Sequence, residues 1–207
     1  MLLHTIYLIA IVAEAMSGAI MGMRRDMDLF GICMIGTVTA LGGGTMRDVL
    51  LGHYPLSWIA NPEYLLFTIS AAIVTAVVAR VLHHLRTVFL VVDGLGLVAF
   101  TVIGCNVAMA SGMTPGIVIM AGLITGVFGG LLRDVLCNEI PWVLRRELYA
   151  TVSLLTGALY VGLLWIKVDT NVASLIAIGT GFLFRLLAMR FHWRLPSFNG
   201  DRIRGLD

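Results

Sequence analysis

The segment LGGGTMRDVLLG, residues 41–52, joins three consecutive glycines to an arginine–aspartate pair inside an otherwise apolar run. Each glycine costs a helix about 1 kcal/mol relative to alanine. A charged side chain at the centre of a bilayer costs roughly 3 kcal/mol on insertion scales. Because both features are unfavourable in an apolar helix, their occurrence together indicates a structural or functional requirement at this point of the chain.

The composition predicts the environment of this segment. The chain of 207 residues is 59% hydrophobic and 13% charged, whereas a soluble domain carries about 25% charged residues. An all-α membrane protein is therefore expected. The net charge of +2 and the lack of basic runs interleaved with aromatic residues argue against nucleic-acid binding. The three cysteines have no metal-ligand spacing and no catalytic motif occurs, so we expect no metal site, no cofactor and no enzymatic activity.

Apolar runs of about 20 residues can cross the hydrocarbon layer. The sequence predicts seven such spans, at residues 4–22, 29–50, 63–80, 88–110, 115–136, 147–166 and 172–190. Four segments beside these spans carry the arginines Arg24, Arg25, Arg80, Arg86, Arg145, Arg146, Arg190, Arg194, Arg202 and Arg204. Seven spans place all four on one side, and cationic loops stay cytoplasmic. This predicts an external N-terminus and a cytoplasmic tail at residues 195–207.

The opening segment occurs twice. A shift of 86 residues aligns VTALGGGTMRDVLLGHYP, residues 38–55, with ITGVFGGLLRDVLCNEIP, residues 124–141. The alignment predicts a single transmembrane domain, residues 1–207, built from one repeat at 4–84 and a second at 88–168, with a seventh helix at 172–190. Each repeat contains three spans, so the second crosses the membrane in the opposite sense. Inverted repeats of this kind are common in transporters.

Glycines at corresponding points of two halves indicate a transport pathway, where a helix bends and its carbonyl groups face a water-filled cavity. Close packing of helices through small residues is the alternative. Threonines beside the glycines can supply hydroxyl ligands. The candidate pathway residues are Gly42, Gly43, Gly44, Gly126, Gly129, Gly130, Thr39, Thr45 and Thr125.

Intramembrane charges form a second group of candidates: Glu14, Arg47, Asp48, Asp93, Arg133, Asp134 and Arg185. Such residues pair with one another or face a cavity. Because adjacent residues on a helix do not face each other, we expect Arg47 and Asp48 to find partners on other helices. Asp93 and Arg133 are expected on the same side, and Glu14 is the acid nearest in depth to Arg47. The two aspartates of the repeated motif can either pin helices together or take part in the pathway, and the sequence does not decide between these roles.

These features resemble the TRIC family of trimeric intracellular cation channels. The likeness rests on the seven spans, the three-plus-three repeat and the motifs GGGTMRD and GVFGGLLRD, and it is strongest to the bacterial branch, also labelled a glycine transporter domain of UPF0126 type. MDLFG, residues 27–31, and ELYA, residues 147–150, are similar to that branch as well. Phe128 stands where the second glycine triplet would begin, so the two bends need not be equivalent.

The resemblance implies a homotrimer in the bacterial inner membrane, with lipids as its surroundings. It also implies one pore per protomer, lined by glycine-kinked second and fifth spans and occupied by potassium or another monovalent cation. A carrier for a small amino acid such as glycine is the alternative, with Arg47 or Arg133 on the carboxylate; a non-conducting scaffold is a third. The charge pairs fit a carrier, whereas the resemblance favours a channel, which is the preferred interpretation.

Overall fold

The computed structural model describes residues 2–79, 85–145 and 148–193. Several residues used above for the prediction of orientation or resemblance lie outside these ranges: Arg80, Arg146, Glu147, Arg194, Arg202, Arg204 and the whole tail 195–207. The orientation of the chain across the membrane therefore stays a prediction.

Nine helices occur in the described residues: α1 (Leu2–Arg24), α2 (Leu29–Leu51), α3 (Ser57–Ala60), α4 (Glu63–Val78), α5 (Leu85–Ala110), α6 (Pro115–Leu136), α7 (Trp142–Arg145), α8 (Tyr149–Trp165) and α9 (Thr170–Arg190). Seven of them coincide with the predicted spans, while the four-residue helices α3 and α7 were not predicted. Five, namely α1, α2, α5, α6 and α9, are long and apolar enough to cross a membrane. Helices α4 and α8 have 16 and 17 residues, close to the lower limit of about 17.

The ends of several helices follow from local chemistry. The carboxylate of Asp28 accepts a hydrogen bond from the backbone N–H of Gly31 (2.8 Å) and so caps the start of α2. Asp169 caps α9 in the same way. Pro115 is the first residue of α6, a position whose backbone N–H has no partner within the helix, so the N–H that proline lacks is not missed there. Helix α2 ends at Gly52, whose φ of 64° is the left-handed conformation that glycine adopts without strain.

The two halves of the chain pack in the same way. Helix α1 contacts α2 and α4, and α2 contacts α4; correspondingly, α5 contacts α6 and α8, and α6 contacts α8. The halves meet where α1 packs against α5 and α2 against α6, with α9 placed against α5 and α8. Small residues permit this closeness: a Cβ on Gly18 would lie 2.8 Å from the Cα of Gly36 on α2.

The outer surface of the described residues is rich in exposed large apolar side chains, among them Phe30, Leu66, Val77 and Trp165. Contiguous apolar surface of this extent is not stable in water. Together with the five apolar helices, it identifies an all-α, multi-pass membrane protein.

Candidate ion pathway

The repeated glycines bring α2 and α6 into direct backbone contact. A Cβ on Gly43 would overlap the carbonyl oxygen of Thr125, and a Cβ on Gly129 would overlap the carbonyl oxygen of Thr39. The two contacts are reciprocal, because each glycine meets the residue four positions before the glycine of the other helix. At this crossing only glycine fits on either side.

The other predicted glycines have different surroundings. Gly44 and Gly130 lie beside the guanidinium of their own repeat, since a Cβ there would be 3.7 Å from Arg47 Nη2 and 3.5 Å from Arg133 Nη2. These are ordinary contact distances, so the last glycine of each motif contacts the arginine without being sterically required.

The two remaining glycines face other groups. A Cβ on Gly42 would lie 2.7 Å from the side chain of Leu132, and one on Gly126 would lie 2.6 Å from the carbonyl oxygen of Leu97 on α5. Both α2 and α6 are helical throughout their glycines. Bending of α2 and α6 at these glycines stays a prediction, whereas close packing of the two helices through glycine is observed at the crossing.

The three candidate threonines all bond to their own helix. Each hydroxyl donates to the carbonyl oxygen four residues earlier, at 2.6 Å for Thr39, 2.8 Å for Thr45 and 2.6 Å for Thr125. Thr39 Oγ1 faces Gly18 of α1, and Thr125 Oγ1 faces Gly104 of α5. The hydroxyls of these two residues therefore point away from the α2–α6 crossing, and it is their backbone carbonyls that lie at it.

A first charged group lies beyond the crossing at the C-terminal end of α2; we call it the Arg47 group, consisting of Arg47, Asp48, His53 and Ser57. Asp48 Oδ1 accepts hydrogen bonds from Arg47 Nε (2.9 Å) and Nη2 (2.7 Å). Ser57 Oγ accepts from Arg47 Nη2 (2.9 Å) and donates to Asp48 Oδ2 (2.6 Å). Asp48 Oδ2 also accepts the backbone N–H of Ser57, the first residue of α3. His53 Nδ1 lies 3.4 Å from Asp48.

This pairing corrects an expectation. Arg47 and Asp48 bond to each other, although adjacent residues leave a helix in different directions. The long arginine side chain folds back over its neighbour because both groups are almost fully buried, with exposures of 1% and 0%, and a buried charge is costly unless it is paired. The expected partner on another helix exists too, but it is the hydroxyl of Ser57.

The Arg47 group opens onto a cleft of about 300 Å³. The cleft is lined by polar and aromatic residues from α1, α3, α4 and α5, including His4, Tyr7, Asn61, Tyr64 and Asn106. The guanidinium therefore lies at the base of a space that a small ligand or water can enter.

A second charged group lies at the opposite end of the crossing; we call it the Arg133 group, consisting of Ser17, Asp93, Arg133 and Asp134. Arg133 Nε donates to Asp134 Oδ1 (2.8 Å), so the neighbouring residues pair here as well. Arg133 Nη1 also donates to Asp93 Oδ1 (2.6 Å) and to Ser17 Oγ (2.5 Å). The ring of Phe89 lies 4.8 Å from the guanidinium carbon. The expected proximity of Asp93 and Arg133 is thus observed.

Glu14 and Arg185 extend the Arg133 group. The Glu14 carboxylate packs against Gly96 of α5, one helical turn beyond Asp93, and it interacts electrostatically with Asp93 and Arg133. The expectation that Glu14 lies nearest Arg47 is therefore wrong, because α1 carries it toward the other end of the crossing. The Arg185 guanidinium carbon lies 4.8 Å from the centre of the Tyr149 ring.

The sequence did not lead us to expect that residues following each motif bind the aspartate of that motif. Asp134 Oδ2 accepts the backbone N–H of Trp142 (2.9 Å), the first residue of α7, just as Asp48 binds the first residue of α3. A signal was present, because the repeat alignment extends to Pro55 and Pro141. A proline shortly after a helix turns the chain, which returns the next backbone N–H groups to the aspartate.

The described residues contain no group of three or more His, Cys, Asp or Glu side chains that could hold a metal ion. The chemistry available is that of buried ion pairs, backbone carbonyls and one polar cleft.

Comparison with known proteins agrees with these features. A family model described as a glycine transporter matches the chain twice, at residues 4–80 and 90–165. The UPF0126 inner membrane protein YadS of Escherichia coli K12 is 37% identical over 203 residues, which cover 97% of this chain and 98% of YadS. The crystal structure of the TRIC trimeric intracellular cation channel orthologue from Rhodobacter sphaeroides superposes with a TM-score of 0.88 at 33% identity, covering 91% of this chain and 97% of that one.

A second solved structure, from work on conductance through TRIC cation channels, gives a TM-score of 0.87 at 34% identity and covers 95% of this chain and 97% of its own. The similarity spans nearly the full length of each relative and includes both copies of the glycine–arginine–aspartate motif. The chain is an inner-membrane protein of the UPF0126 glycine-transporter family and belongs to the bacterial branch of the TRIC channels.

Proposed function

We propose that this protein is a monovalent cation channel whose pathway runs between α2 and α6. The observation that carries the proposal is the reciprocal crossing of Gly43 and Gly129 over the carbonyls of Thr125 and Thr39. Because neither glycine carries a Cβ, the backbone carbonyl oxygens of Thr39 and Thr125 lie at the contact between the two halves. Carbonyl oxygens replace the hydration shell of a potassium ion in channel filters, and potassium is the cation that we propose.

The charged groups at the two ends of the crossing support this pathway. Each arginine is compensated by an adjacent carboxylate, so neither end presents an unpaired positive charge that would repel a cation. The cleft of about 300 Å³ at the Arg47 end provides an aqueous entrance. The solved relatives are titled as cation channels, which favours conduction over amino-acid transport and over a purely structural role.

The assembly and topology follow from the same proposal. We infer a homotrimer with one pathway in each protomer, since the relative from Rhodobacter sphaeroides is titled a trimeric channel. Two inverted repeats and seven spans are supported by the two matches of one family model and by the identical packing of the two halves. With seven spans, the N-terminus is external and the C-terminus cytoplasmic.

Planar bilayers containing the purified protein under a potassium gradient test the proposal. We expect unitary currents that reverse near the potassium equilibrium potential. Gly43→Leu should abolish them, because the leucine side chain occupies the crossing, while the matched control Gly162→Leu should conduct, because a Cβ at Gly162 meets no atom within 4 Å. Absence of wild-type currents, or normal currents from Gly43→Leu, would overturn the proposal.

A carrier for a small amino acid is the second candidate, and one observation favours it. Arg47 Nη1 is buried without a hydrogen-bond partner in the described residues, beside the polar cleft. An amino-acid carboxylate is a natural acceptor for a guanidinium N–H. Counterflow of labelled glycine into liposomes, together with electrical silence, would establish this function in place of the channel.

A further inference from the structure

The interior of the Arg133 end has an unequal number of positive and negative side chains. Among the described residues buried there, Glu14, Asp93 and Asp134 are acidic, while Arg133 and Arg185 are basic, and all five have exposures of 2% or less. If every group were ionised, this interior would carry one net negative charge. Among these five described side chains the acids outnumber the bases by one, and a buried charge without compensation is strongly unfavourable.

Hydrogen bonding indicates where that charge belongs. Asp134 uses both oxygens, toward Arg133 and the backbone of Trp142. Asp93 binds Arg133 directly through Oδ1. Both of these carboxylates therefore accept a hydrogen bond from the Arg133 guanidinium. Glu14 is the third acid of the group.

Three buried oxygen atoms in the described part of this group have no hydrogen-bond partner: Glu14 Oε2, Asp93 Oδ2 and Tyr149 Oη. Two are carboxylate oxygens, which only accept hydrogen bonds while ionised. A proton on Glu14 supplies a donor where acceptors predominate, and it cancels the net charge. One proton on Glu14 therefore balances the five charges and provides one hydrogen-bond donor among these oxygens.

We propose that Glu14 binds one exchangeable proton and that the Arg133 end is a proton-binding site. A proton requires no additional volume, which suits a carboxylate so closely packed that a Cβ on Gly96 would overlap it. A metal cation would require a coordination shell of several oxygen atoms. The groups that interact with Glu14 from the surrounding helices are Asp93 of α5, Arg133 and Asp134 of α6, and Tyr149 of α8. Arg185 of α9 lies against the ring of Tyr149.

Proton uptake by the purified, assembled protein tests the proposal without any measurement of flux, so it is independent of the proposed function. An exposed glutamate is almost fully ionised above about pH 5.5. Between about pH 5.5 and 8.5, wild-type protein should bind one more proton per chain than Glu14→Gln. The matched control Glu63→Gln, at an exposed position on α4, should bind as many protons as wild type in this interval.

Infrared difference spectra of wild-type protein labelled with carboxyl-¹³C glutamate provide a second measurement that needs no variant. We expect a protonated-carboxyl band that shifts with the label and disappears as the pH rises. Three results would overturn the proposal: equal proton uptake by wild type and Glu14→Gln, a band absent or unchanged across the interval, or loss of the band at constant pH when sodium or potassium is added. The last result would identify a metal-cation site instead.

Discussion

The Arg47 and Arg133 groups are built from the same motif but have different surroundings. In the first repeat, Arg47 is bonded to one carboxylate, Asp48, and lies beside an open cleft. In the second, Arg133 is bonded to two carboxylates and a serine within a closed interior. Under the 86-residue shift, Tyr7 occupies the position that corresponds to Asp93, and Tyr7 lines the cleft.

This difference shows what the repeated motif specifies and what it does not. In both copies the aspartate binds its neighbouring arginine and the first N–H of the following short helix. The helices that surround the motif then determine whether the arginine is enclosed by further acids or left next to a cleft. Repetition of the sequence therefore provides the pair, and divergence around it makes the surroundings of the two arginines different.

The largest expected effect comes from removing the acid of each pair. Asp48→Asn leaves Arg47 buried without a carboxylate partner among the described residues and should destabilise the protein by about 3–5 kcal/mol. Asp134→Asn should cost less, about 1–3 kcal/mol, because Asp93 still binds Arg133. Thermal unfolding of the purified variants measures both.

Asp28→Asn is the control for this pair of variants, since asparagine caps a helix as well as aspartate does and Asp28 lies outside both groups. Equal losses of stability in Asp48→Asn and Asp134→Asn would show that Asp93 does not compensate, and the proposed asymmetry would be wrong.

The second effect concerns the crossing, where the two halves should behave alike. Gly43→Ala and Gly129→Ala each introduce a Cβ that overlaps a carbonyl oxygen of the opposite helix. Each should cost about 1–3 kcal/mol through overpacking. Gly44→Ala is the adjacent control, because its Cβ meets Arg47 Nη2 at an ordinary 3.7 Å and alanine favours the helix. A loss in Gly44→Ala as large as that in Gly43→Ala would contradict the assignment of roles.

A third effect, comparable in size, is expected from the serines that support each arginine. Ser57→Ala removes hydrogen bonds to Arg47 (2.9 Å) and Asp48 (2.6 Å). Ser17→Ala removes one to Arg133 (2.5 Å) and a longer one to Asp93 (3.4 Å). A hydrogen bond to a charged group contributes about 1.5–3 kcal/mol. Ser57→Ala should therefore be at least as destabilising as Ser17→Ala in the same unfolding assay, with Ser111→Ala as the control because its hydroxyl bonds only to its own helix.

The smallest effect is expected at the surface of the Arg133 end. Arg25 and Glu139 form an ion pair at 2.5 Å with side-chain exposures of 37% and 41%. Exposed pairs of this kind contribute about 0–1 kcal/mol, and salt screens them. Glu139→Gln should lower the unfolding temperature slightly in dilute buffer and leave it unchanged at high salt. A change as large as that of Asp134→Asn would mean that this pair supports the buried group.

Much of the fold was predictable because hydrocarbon imposes a simple rule on the sequence. Each predicted span corresponds to a helix of at least 16 residues, within a few residues at each end, and five of these are long enough to cross a membrane. The short helices α3 and α7 were missed because four-residue helices leave no periodic pattern. The family could be inferred from the twin glycine motifs, and the full-length relatives confirm it.

The sequence predicted which residues form the candidate site better than it predicted the contacts between them. The nearest partners of Arg47 depend on how a flexible side chain folds back under burial, which helical spacing alone does not specify. The position of Glu14 depends on how α1 is displaced along its axis against α5 and α6. Close packing at small residues such as Gly96 of α5, which meets Glu14 itself, accompanies that placement, and no one-dimensional pattern encodes it.

The order in which the chain is synthesised gives the hydrogen bonds of the two arginines a further consequence. Arg47 is followed at once by Asp48 and ten residues later by Ser57, so its partners emerge from the ribosome with it. The partners Asp93 and Ser17 of Arg133 lie 40 and 116 residues earlier and are already in the membrane when it arrives. Because domains form from the N-terminus during synthesis, each guanidinium enters the bilayer when a counter-charge is available, and neither has to wait for later segments.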